Sequence, residues 1–532
     1  MRRPSLAACV AALVIVAGWG LARRLVAAEP GAVDRAFQDF WGAADQAGSV
    51  KRVDGVVKSG VSFEDALTRL GRGRDYSPDA PRGQQNGRHR LDGIEHTYTI
   101  LVPQNYDASR PYQLRVQLHG GANRTDPPDA ARLGIDRLPG RVQEISVFPA
   151  GWADSLWWQA SQVDNLSKIL DKLKRTYNVD ENRVYLTGAS DGGTGVYFMA
   201  FRETTPWASF LPLIGSMTVL STPEAGADGE MFPGNAVNKP FFVVNAGRDR
   251  LYPAHIVQPF VEHLRQLGAH VVFHVQPDSD HNTTWWPQER AAYEEFVGAH
   301  PRDPLPDALT WETERTDRYN RAHWLVIDRL GDAPGQSILA DGNLLHRGLE
   351  YDFGLRINST VERGRRAAGV AATSNAYHIG LRAGDLILEV GARQVQTARD
   401  ILEEMQQWAI GSTIHLLVDR AGQRVSIEGQ FDPDEVEAPS QAIFPRGKPS
   451  GRVDLARHGN VVEASTHGVK VFTLLLSPSK FNFSQPVRVV ANGRTVFDGL
   501  VQPSVATLMK WAARDNDRTM LFGAELKIDL TK

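Results

Sequence analysis

One stretch of the chain decides the fold, Val184-Tyr185-Leu186-Thr187-Gly188-Ala189-Ser190-Asp191-Gly192-Gly193. Its β-branched and aromatic start predicts a buried strand, and residues 195–200 predict a helix. The pattern Gly-x-Ser-x-Gly lies at the turn between them. A turn of this kind holds a serine hydroxyl clear of the sheet, while its glycines let strand and helix approach closely. The stretch therefore predicts a nucleophile, Ser190; a glycine-rich turn without chemistry is the alternative.

Strand and helix patterns alternate around this stretch, from residue 93 to about residue 302. A helix pattern before the stretch has apolar residues at the i, i+3, i+4, i+7 spacing. The other predicted strands cover 97–102, 114–118, 145–149, 211–214, 240–244 and 270–275. The alternation predicts a doubly wound, mostly parallel sheet with helices on both faces. Active sites of such sheets lie at the carboxyl ends of the strands.

An acid and a base follow two of these strands. Asp249 comes after strand 240–244, and His281 comes after strand 270–275. The chain order Ser190, Asp249, His281 is the order of a hydrolase triad. A neutral imidazole can take the serine proton near pH 7, and the carboxylate fixes its tautomer.

Each of these two positions has alternatives. His270 and His274 fall inside a predicted strand, whereas a base must reach over the strand ends. Asp278 and Asp280 are loop neighbours of His281 and weaker candidates for the acid. Asp249 itself has the alternative of an ordinary turn aspartate.

The segment His119-Gly120-Gly121 follows strand 114–118, where the second donor of an oxyanion hole is expected. We predict that the backbone N–H of Asp191 is the first donor. The second is expected in the Gly120–Gly121 loop, from Gly121 or its neighbour Ala122. The side chain of Asp191 is predicted to cap its own helix, and His119 is predicted to be structural.

Two tryptophan pairs flank the predicted site in sequence, Trp157-Trp158 and Trp285-Trp286. Paired aromatic side chains near catalytic loops can form an acyl or aryl pocket. Ordinary core packing is the alternative.

A long segment of the chain resembles a known family. Residues 62–299 resemble bacterial α/β-hydrolases, in particular esterases similar to polyhydroxybutyrate depolymerases and feruloyl esterases, with prolyl-oligopeptidase-type domains as more distant relatives. The motifs that carry the resemblance are Leu118-His119-Gly120-Gly121, the stretch 180–193, Gly247-Arg248-Asp249 and Asp280-His281. The resemblance implies an α/β-hydrolase fold and cleavage of a small or polymeric ester without metal or cofactor. A serine peptidase is the alternative.

A second resemblance covers residues 347–431, where Gly-Leu-x-x-Gly-Asp-x-Ile-Leu occurs at 380–388. This segment resembles a PDZ domain. The resemblance implies that the loop Phe353-Gly354-Leu355 binds the carboxylate of a peptide C-terminus and that the peptide adds a strand beside it. A PDZ-shaped spacer with a blocked groove is the alternative. A binding protein built on an inactive hydrolase shell is a further alternative for the whole chain.

The segments on either side, 303–346 and 446–532, are rich in strand patterns. Asn492-Gly493 between two of them is a strong hairpin signal. Each segment has too few strands for a domain of its own. We therefore predict one β-sandwich-like domain interrupted by the PDZ segment.

The first 28 residues differ from the rest. Two arginines precede an apolar run over 6–22, and two more arginines and small residues follow it. This pattern predicts an export signal, with an uncleaved membrane anchor as the alternative, and a periplasmic or extracellular protein. The one cysteine of the chain, Cys9, lies in this segment.

The overall composition is that of a globular protein with several domains. The 532 residues carry a net charge of −3, with acidic and basic residues interleaved. No basic surplus points to nucleic acid. Residues 29–92 are predicted to form a helical lead-in to the catalytic domain at 93–302.

Overall fold

The computed structural model describes residues 30–122, 143–333, 342–345, 349–357, 365–405, 407–437 and 440–532. The predicted signal or anchor, residues 1–28, lies outside these ranges. None of the helices within the described ranges is both long enough and apolar enough to cross a membrane.

Three helices open the described chain: α1 Pro30–Trp41, α2 Gln46–Lys58 and α3 Phe63–Arg72. Side-chain caps begin two of them, because Asp45 accepts a hydrogen bond from the N–H of Gly48 and Ser62 accepts one from Asp65. Their apolar faces pack on residues from the far end of the chain, including Leu508. The helical lead-in is therefore held by the C-terminal part of the protein.

The largest sheet within the described ranges has eight strands: β1 Gly83–Leu91, β2 Ile94–Val102, β3 Tyr112–Leu118, β4 Glu144–Pro149, β5 Val179–Ala189, β6 Phe210–Leu213, β7 Phe241–Ala246 and β8 Val271–Gln276. Their spatial order is β1-β2-β4-β3-β5-β6-β7-β8. Strand β2 is antiparallel to both of its neighbours, and the strands from β4 to β8 are parallel. This is the α/β-hydrolase sheet that the sequence predicts.

Strand β1 lies within residues 29–92, for which a helical lead-in was predicted, so this prediction is wrong over Gly83–Leu91. It pairs with β2 along its whole length, from Gly83 opposite Val102 to Leu91 opposite Ile94. The boundary predicted between residues 92 and 93 therefore falls inside a hairpin. The overlooked signal was Asp92-Gly93, whose φ angles of 46° and 86° suit a tight hairpin turn.

Helices cover both faces of this sheet: α4 Ala160–Thr176, α5 Asp191–Arg202, α6 Ala254–Gln266 and α7 Trp286–Ala299. Alternate residues of a strand point to opposite faces. Accordingly, Phe241 and Val243 of β7 belong to the core shared with α4, α5 and α6, whereas Phe242 and Val244 belong to the core under α7.

A second body of strands follows. It consists of β9 Ala308–Thr313, β10 Arg321–Ala322 and β11 Leu325–Leu330, and of β22 Gly451–His458, β23 Val461–His467, β24 Val469–Leu476, β25 Val487–Ala491, β26 Arg494–Gly499, α10 Val505–Asp515 and β27 Ala524–Asp529. The strands form two sheets, β10-β11-β24-β27 and β26-β25-β23-β22-β9, over one apolar core. Strands from before and after the intervening segment pair with each other, β11 with β24 and β9 with β22. Strand β22 was not predicted.

The intervening segment has its own elements: β12 Leu344–Leu345, β13 Leu349–Asp352, β14 Leu355–Ile357, β15 Ala367–Val370, α8 Asn375–His378, β16 Leu386–Val390, β17 Arg393–Gln394, α9 Ala398–Met405, β18 Thr413–Arg420, β19 Gln423–Gln430, β20 Asp434–Glu437 and β21 Gln441–Ala442. Its largest sheet has the order β17-β16-β18-β19. A separate core forms around Ile387, Ile414 and Val418.

Candidate active site

Ser190 lies at a strained turn between β5 and α5. Its backbone has φ 56° and ψ −121°, which is a costly conformation for a residue with a Cβ. The glycines on both sides are required by close backbone contacts. A Cβ on Gly188 would lie 2.3 Å from the carbonyl oxygen of Gly192, and a Cβ on Gly192 would lie 2.1 Å from that of Leu118. The sequence pattern therefore matches a sharp turn that leaves the Ser190 hydroxyl above the sheet.

The structure brings the three predicted triad residues together. The Ser190 Oγ lies 2.8 Å from His281 Nε2, and His281 Nδ1 lies 2.7 Å from Asp249 Oδ2. Asp249 is 2% exposed, and its other oxygen accepts the N–H groups of Leu251 and Tyr252 at 2.8 and 3.0 Å. These bonds keep the carboxylate pointed at the imidazole.

This geometry sets the roles of the two ring nitrogens. A carboxylate accepts hydrogen bonds, so the proton of the neutral ring lies on His281 Nδ1. His281 Nε2 then has a lone pair for the Ser190 hydroxyl. The two alternative histidines lie elsewhere. His274 Nδ1 is 2.7 Å from Glu289, and the His270 ring packs on His300 at 5.0 Å.

The loop after β3 lies against the nucleophile. A Cβ on Gly120 would lie 2.9 Å from the Cβ of Ser190, so only glycine permits this approach. Gly121 has φ 65°, which also favours glycine. The predicted oxyanion loop is therefore beside Ser190, and its role as a donor remains a prediction.

His119 holds the start of this loop. Its Nε2 accepts the N–H of Gly151 at 3.0 Å, so its Nδ1 carries the proton and donates to the carbonyl of Gly120 at 2.9 Å. Its backbone carbonyl accepts the indole N–H of Trp157 at 2.9 Å. These contacts are structural, in line with the prediction for His119.

The side chain of Asp191 differs from its prediction. It does not cap its own helix; its Oδ2 accepts a hydrogen bond of 2.8 Å from the backbone N–H of Ala122. That bond ties the residue after the nucleophile to the end of the oxyanion loop. The Ala122 N–H therefore already has an acceptor within the protein.

All four indoles of the two tryptophan pairs are buried, which favours core packing, the alternative to the predicted pocket. Trp157 is fully buried against Gly151 and Gly195: a Cβ on Gly151 would lie 2.7 Å from its ring, and a Cβ on Gly195 would lie 2.4 Å from the Cβ of Trp157. Trp158 donates its indole N–H to the carbonyl of Ala225 at 2.7 Å. The other pair, Trp285 and Trp286, lies in the core under α7.

Sequence reasoning missed one neighbour of the triad, Tyr252. Its ring packs on the His281 ring at 5.7 Å with a T-shaped geometry. Burial, followed by the negative charges of Asp191 and Asp249, raises the pKa of its phenol to about 12. The phenol therefore stays protonated beside the site. Its position three residues after Asp249 was the only signal in the sequence.

The loop predicted to bind a peptide carboxylate is already engaged in part. The N–H of Gly354 donates to Asp352 Oδ1 at 2.7 Å, and Arg356 holds the same carboxylate at 2.8 and 2.6 Å. Gly354 has φ 81°, and Phe353 is buried against Trp408 and Phe431. Peptide binding by Phe353, Gly354 and Leu355 remains a prediction.

The described residues contain no group of three or more His, Cys, Asp or Glu side chains arranged to hold a metal ion.

Comparisons with known proteins relate the chain to hydrolases, although no protein-family model matches it. A probable feruloyl esterase C of Aspergillus niger is 27% identical over 172 residues, which are 30% of this chain and 61% of that protein. A bifunctional acetylxylan esterase/xylanase of Neocallimastix patriciarum is 24% identical over 240 residues, 42% of this chain and 33% of that protein. Dipeptidyl aminopeptidase A of Saccharomyces cerevisiae is 21% identical over 243 residues, 38% of this chain and 26% of that protein.

The chain thus spans less than two thirds of the length of each of these relatives. Two of them are esterases and one is a peptidase. The chain is therefore similar in sequence to esterases and other hydrolases, and its main sheet has the strand order of the α/β-hydrolase fold.

Proposed function

We propose that this protein is a serine hydrolase that cleaves carboxylic esters with Ser190, His281 and Asp249. The observation that carries the proposal is the hydrogen-bonded line from Asp249 through His281 to Ser190, with distances of 2.7 and 2.8 Å. The similarity to two esterases supports an ester as the substrate.

In the first half of the reaction, Ser190 Oγ attacks the ester carbonyl carbon while His281 Nε2 takes the hydroxyl proton. The tetrahedral intermediate carries its negative charge on the former carbonyl oxygen. Backbone N–H groups of Asp191 and Gly121 are the proposed donors to this oxygen, and each donor contributes about 3–4 kcal/mol in comparable enzymes. Collapse of the intermediate breaks the ester C–O bond, and His281 returns the proton to the leaving alcohol.

In the second half, water replaces the alcohol. His281 Nε2 takes a proton from water as the water oxygen attacks the acyl carbon. The bond from the acyl carbon to Ser190 Oγ then breaks and releases the acid, and His281 returns the proton to Ser190 Oγ. Asp249 stabilises the imidazolium in both halves without being protonated itself. The same residues serve both steps, so metal and cofactor are not required by this scheme.

A serine peptidase is the second candidate, favoured by the similarity to a dipeptidyl aminopeptidase. The same triad could cleave an amide, with an amine as the leaving group. The two functions differ in the leaving group that His281 protonates, and direct comparison of ester and peptide substrates separates them.

We also propose export from the cytoplasm, on the basis of the charged and apolar pattern of residues 1–28. Residues 347–431 are proposed to recruit a substrate or partner through a peptide C-terminus. Such a peptide would need to compete with Asp352 for the Gly354 N–H.

The first test is reaction of the purified full chain with a fluorophosphonate, with the adduct located by mass spectrometry. We expect a label on Ser190 that is absent in Ser190→Ala. Ser279→Ala is a matched control, because Ser279 lies on the loop before His281 and should leave labelling unchanged. A folded wild-type protein without a label would contradict the proposal and favour a binding protein on an inactive shell.

The second test compares acyl and aryl esters with peptides at equal concentration. An ester hydrolase should turn over the esters with a larger kcat/KM than any peptide. Labelling of Ser190 with turnover of peptides alone would replace the ester proposal by the peptidase.

A further inference from the structure

A cavity of about 610 Å³ opens far from Ser190. It is formed by the segment after α3, by the turn between β2 and β3, by the start of β5 and by the segment after α10. Asn178 on its wall precedes β5, and Ser190 follows β5. Strand β5 pairs with β3 from Val179 opposite Tyr112 to Gly188 opposite Leu118. This span is six residues of β3, which at about 3.3 Å per residue separates the two sites by roughly 20 Å. The cavity is therefore a site of its own.

Four arginines line this cavity: Arg72, Arg74, Arg82 and Arg518. Its acidic lining residues are Asp75 and Asp107, and its aromatic ones are Tyr76 and Tyr106. The balance of charge depends on which of these groups already have partners.

Arg518 and Asp107 are paired. Arg518 donates to both oxygens of Glu181 at 2.7 and 2.9 Å. Asp107 lies 3.3 Å from Arg110 and accepts the N–H and hydroxyl of Ser109. These contacts hold two walls of the cavity in place. Because both groups are in ion pairs, neither leaves an unbalanced charge for a ligand.

The other three arginines either donate hydrogen bonds to neutral oxygen atoms or are exposed to solvent. Arg74 donates to the side-chain oxygen of Asn516 at 2.9 Å and to the carbonyl of Trp41 at 3.3 Å. Arg82 donates to the carbonyl of Pro78 at 3.0 Å, and Arg72 is exposed. Within the described part of the chain, none of the three forms an ion pair. Asp75 is the one lining carboxylate that remains to oppose them.

Arg74 is half-buried and lies near the charged side chains of Arg175 and Asp171, which pair with each other at 2.8 Å. Burial, followed by the positive charge of Arg175, holds the pKa of the Arg74 guanidinium below its ordinary value, while the negative charge of Asp171 acts in the opposite direction. An anion in the cavity would provide Arg74 with the countercharge that its neutral hydrogen-bond acceptors do not supply. Guanidinium groups match the oxygens of carboxylates and phosphates in a bidentate geometry.

We propose that this cavity binds a small anion with at least two carboxylate or phosphate groups, held by Arg72, Arg74 and Arg82. The volume lies within the range of sites for small ligands. Three cationic groups and one carboxylate give a net charge of +2, which a dianion would balance. The bound anion bridges the helical lead-in, the catalytic sheet and the C-terminal segment, because Arg72, Ser109 and Arg518 belong to these three parts.

The test is isothermal titration of the full chain with inorganic pyrophosphate and, separately, with citrate, at a constant ionic strength of about 0.15 M. We expect saturable binding of at least one of them, which also distinguishes phosphate from carboxylate recognition. Arg72→Ala/Arg82→Ala should weaken binding by about tenfold or more. Arg424→Ala/Arg494→Ala removes the same charge from exposed positions elsewhere and should not change binding.

Asp75→Asn gives an independent check in the other direction. Removing the opposing carboxylate should tighten binding severalfold, whereas a site that did not use this cavity would be unaffected. Absence of saturable binding for both anions, or equal binding by the double variant and the wild type, would overturn the proposal. Ser190→Ala should bind as the wild type does, so the outcome does not depend on the proposed hydrolase activity.

Discussion

The carboxylate of Asp191 accepts a hydrogen bond of 2.8 Å from the backbone N–H of Ala122, which lies 69 residues earlier in the chain. This bond connects the residue after the nucleophile to the loop that lies over it. A donor loop stabilises a developing oxyanion only when it is held in place before the reaction. Asp191 is therefore expected to act as a positioning residue through its side chain, in addition to its backbone N–H.

Asp191→Ala should lower kcat for an ester by about 10- to 100-fold with a smaller change in KM, because a misplaced oxyanion donor acts on the transition state. Asp191→Asn keeps an acceptor oxygen and should recover most of the activity. Steady-state kinetics on both variants, with thermal unfolding as the folding control, measure the effect. Equal kcat values for Asp191→Ala and wild type would refute the positioning role.

Asp249→Asn should lower kcat by about 10³- to 10⁴-fold, because an amide no longer fixes the tautomer of His281 or stabilises its charged form. Asp278→Asn and Asp280→Asn, on the loop before His281, should retain nearly full activity. Fluorophosphonate labelling rates and ester kinetics of the three variants test this assignment. If one of the loop variants lost activity instead of Asp249→Asn, the acid would be reassigned.

Asp352→Ala should strengthen binding of a peptide with a free C-terminus by about tenfold. The change releases the N–H of Gly354 and removes a negative charge from the carboxylate loop. Binding of a C-terminal peptide library and of its amidated counterpart to the full chain is the measurement. Glu463→Ala, at an exposed position of β23, is the control. No binding by either form of the protein would contradict peptide recruitment.

The buried imidazole of His96 is expected to lower the free energy of unfolding in acid. Its imidazole is fully buried, neither nitrogen has a partner among the described residues, and burial lowers its pKa to about 4. The unfolded chain binds this proton near pH 6.5. Between pH 6.5 and 4 the unfolded state therefore holds more protons, and the free energy of unfolding falls as the pH falls.

The expected loss from this group is on the order of 3 kcal/mol at pH 4 relative to pH 7. Urea unfolding across this pH range should show a flatter dependence for His96→Phe. The same change at His458, which is exposed at the end of β22, should leave the dependence as in the wild type. An unchanged profile for His96→Phe would show that this group does not titrate on unfolding.

Arg202 ends α5, and its guanidinium binds both oxygens of Glu314 at 2.7 and 2.8 Å with both side chains at most 1% exposed. Glu314→Ala should lower the free energy of unfolding by about 3–5 kcal/mol, since it leaves the buried Arg202 guanidinium without a countercharge. Asp317→Ala breaks an exposed pair with Arg315 and should cost less than about 1 kcal/mol. Equal effects of the two changes in urea unfolding would refute this account of the contact between α5 and the β-rich part.

The strand ends show why part of the site could be predicted. Ser190, Asp249 and His281 each follow an apolar strand of a parallel sheet, and the carboxyl ends of such strands share one edge. Local sequence patterns therefore suffice to predict that these three residues lie close together at one edge of the sheet. Strand β1 was missed because it is a polar edge strand that relies on β2 for its hydrogen bonds.

By itself, the sequence determined the elbow at Ser190, the alternation of strands and helices, and the order of the three candidate catalytic residues, because short-range periodicity and glycine geometry decide these features. Only the tertiary structure decided the partner of the Asp191 carboxylate, the burial of the four tryptophans, and the grouping of arginines around one cavity. These features depend on contacts between segments tens to hundreds of residues apart, and no local pattern encodes which side chains such contacts bring together.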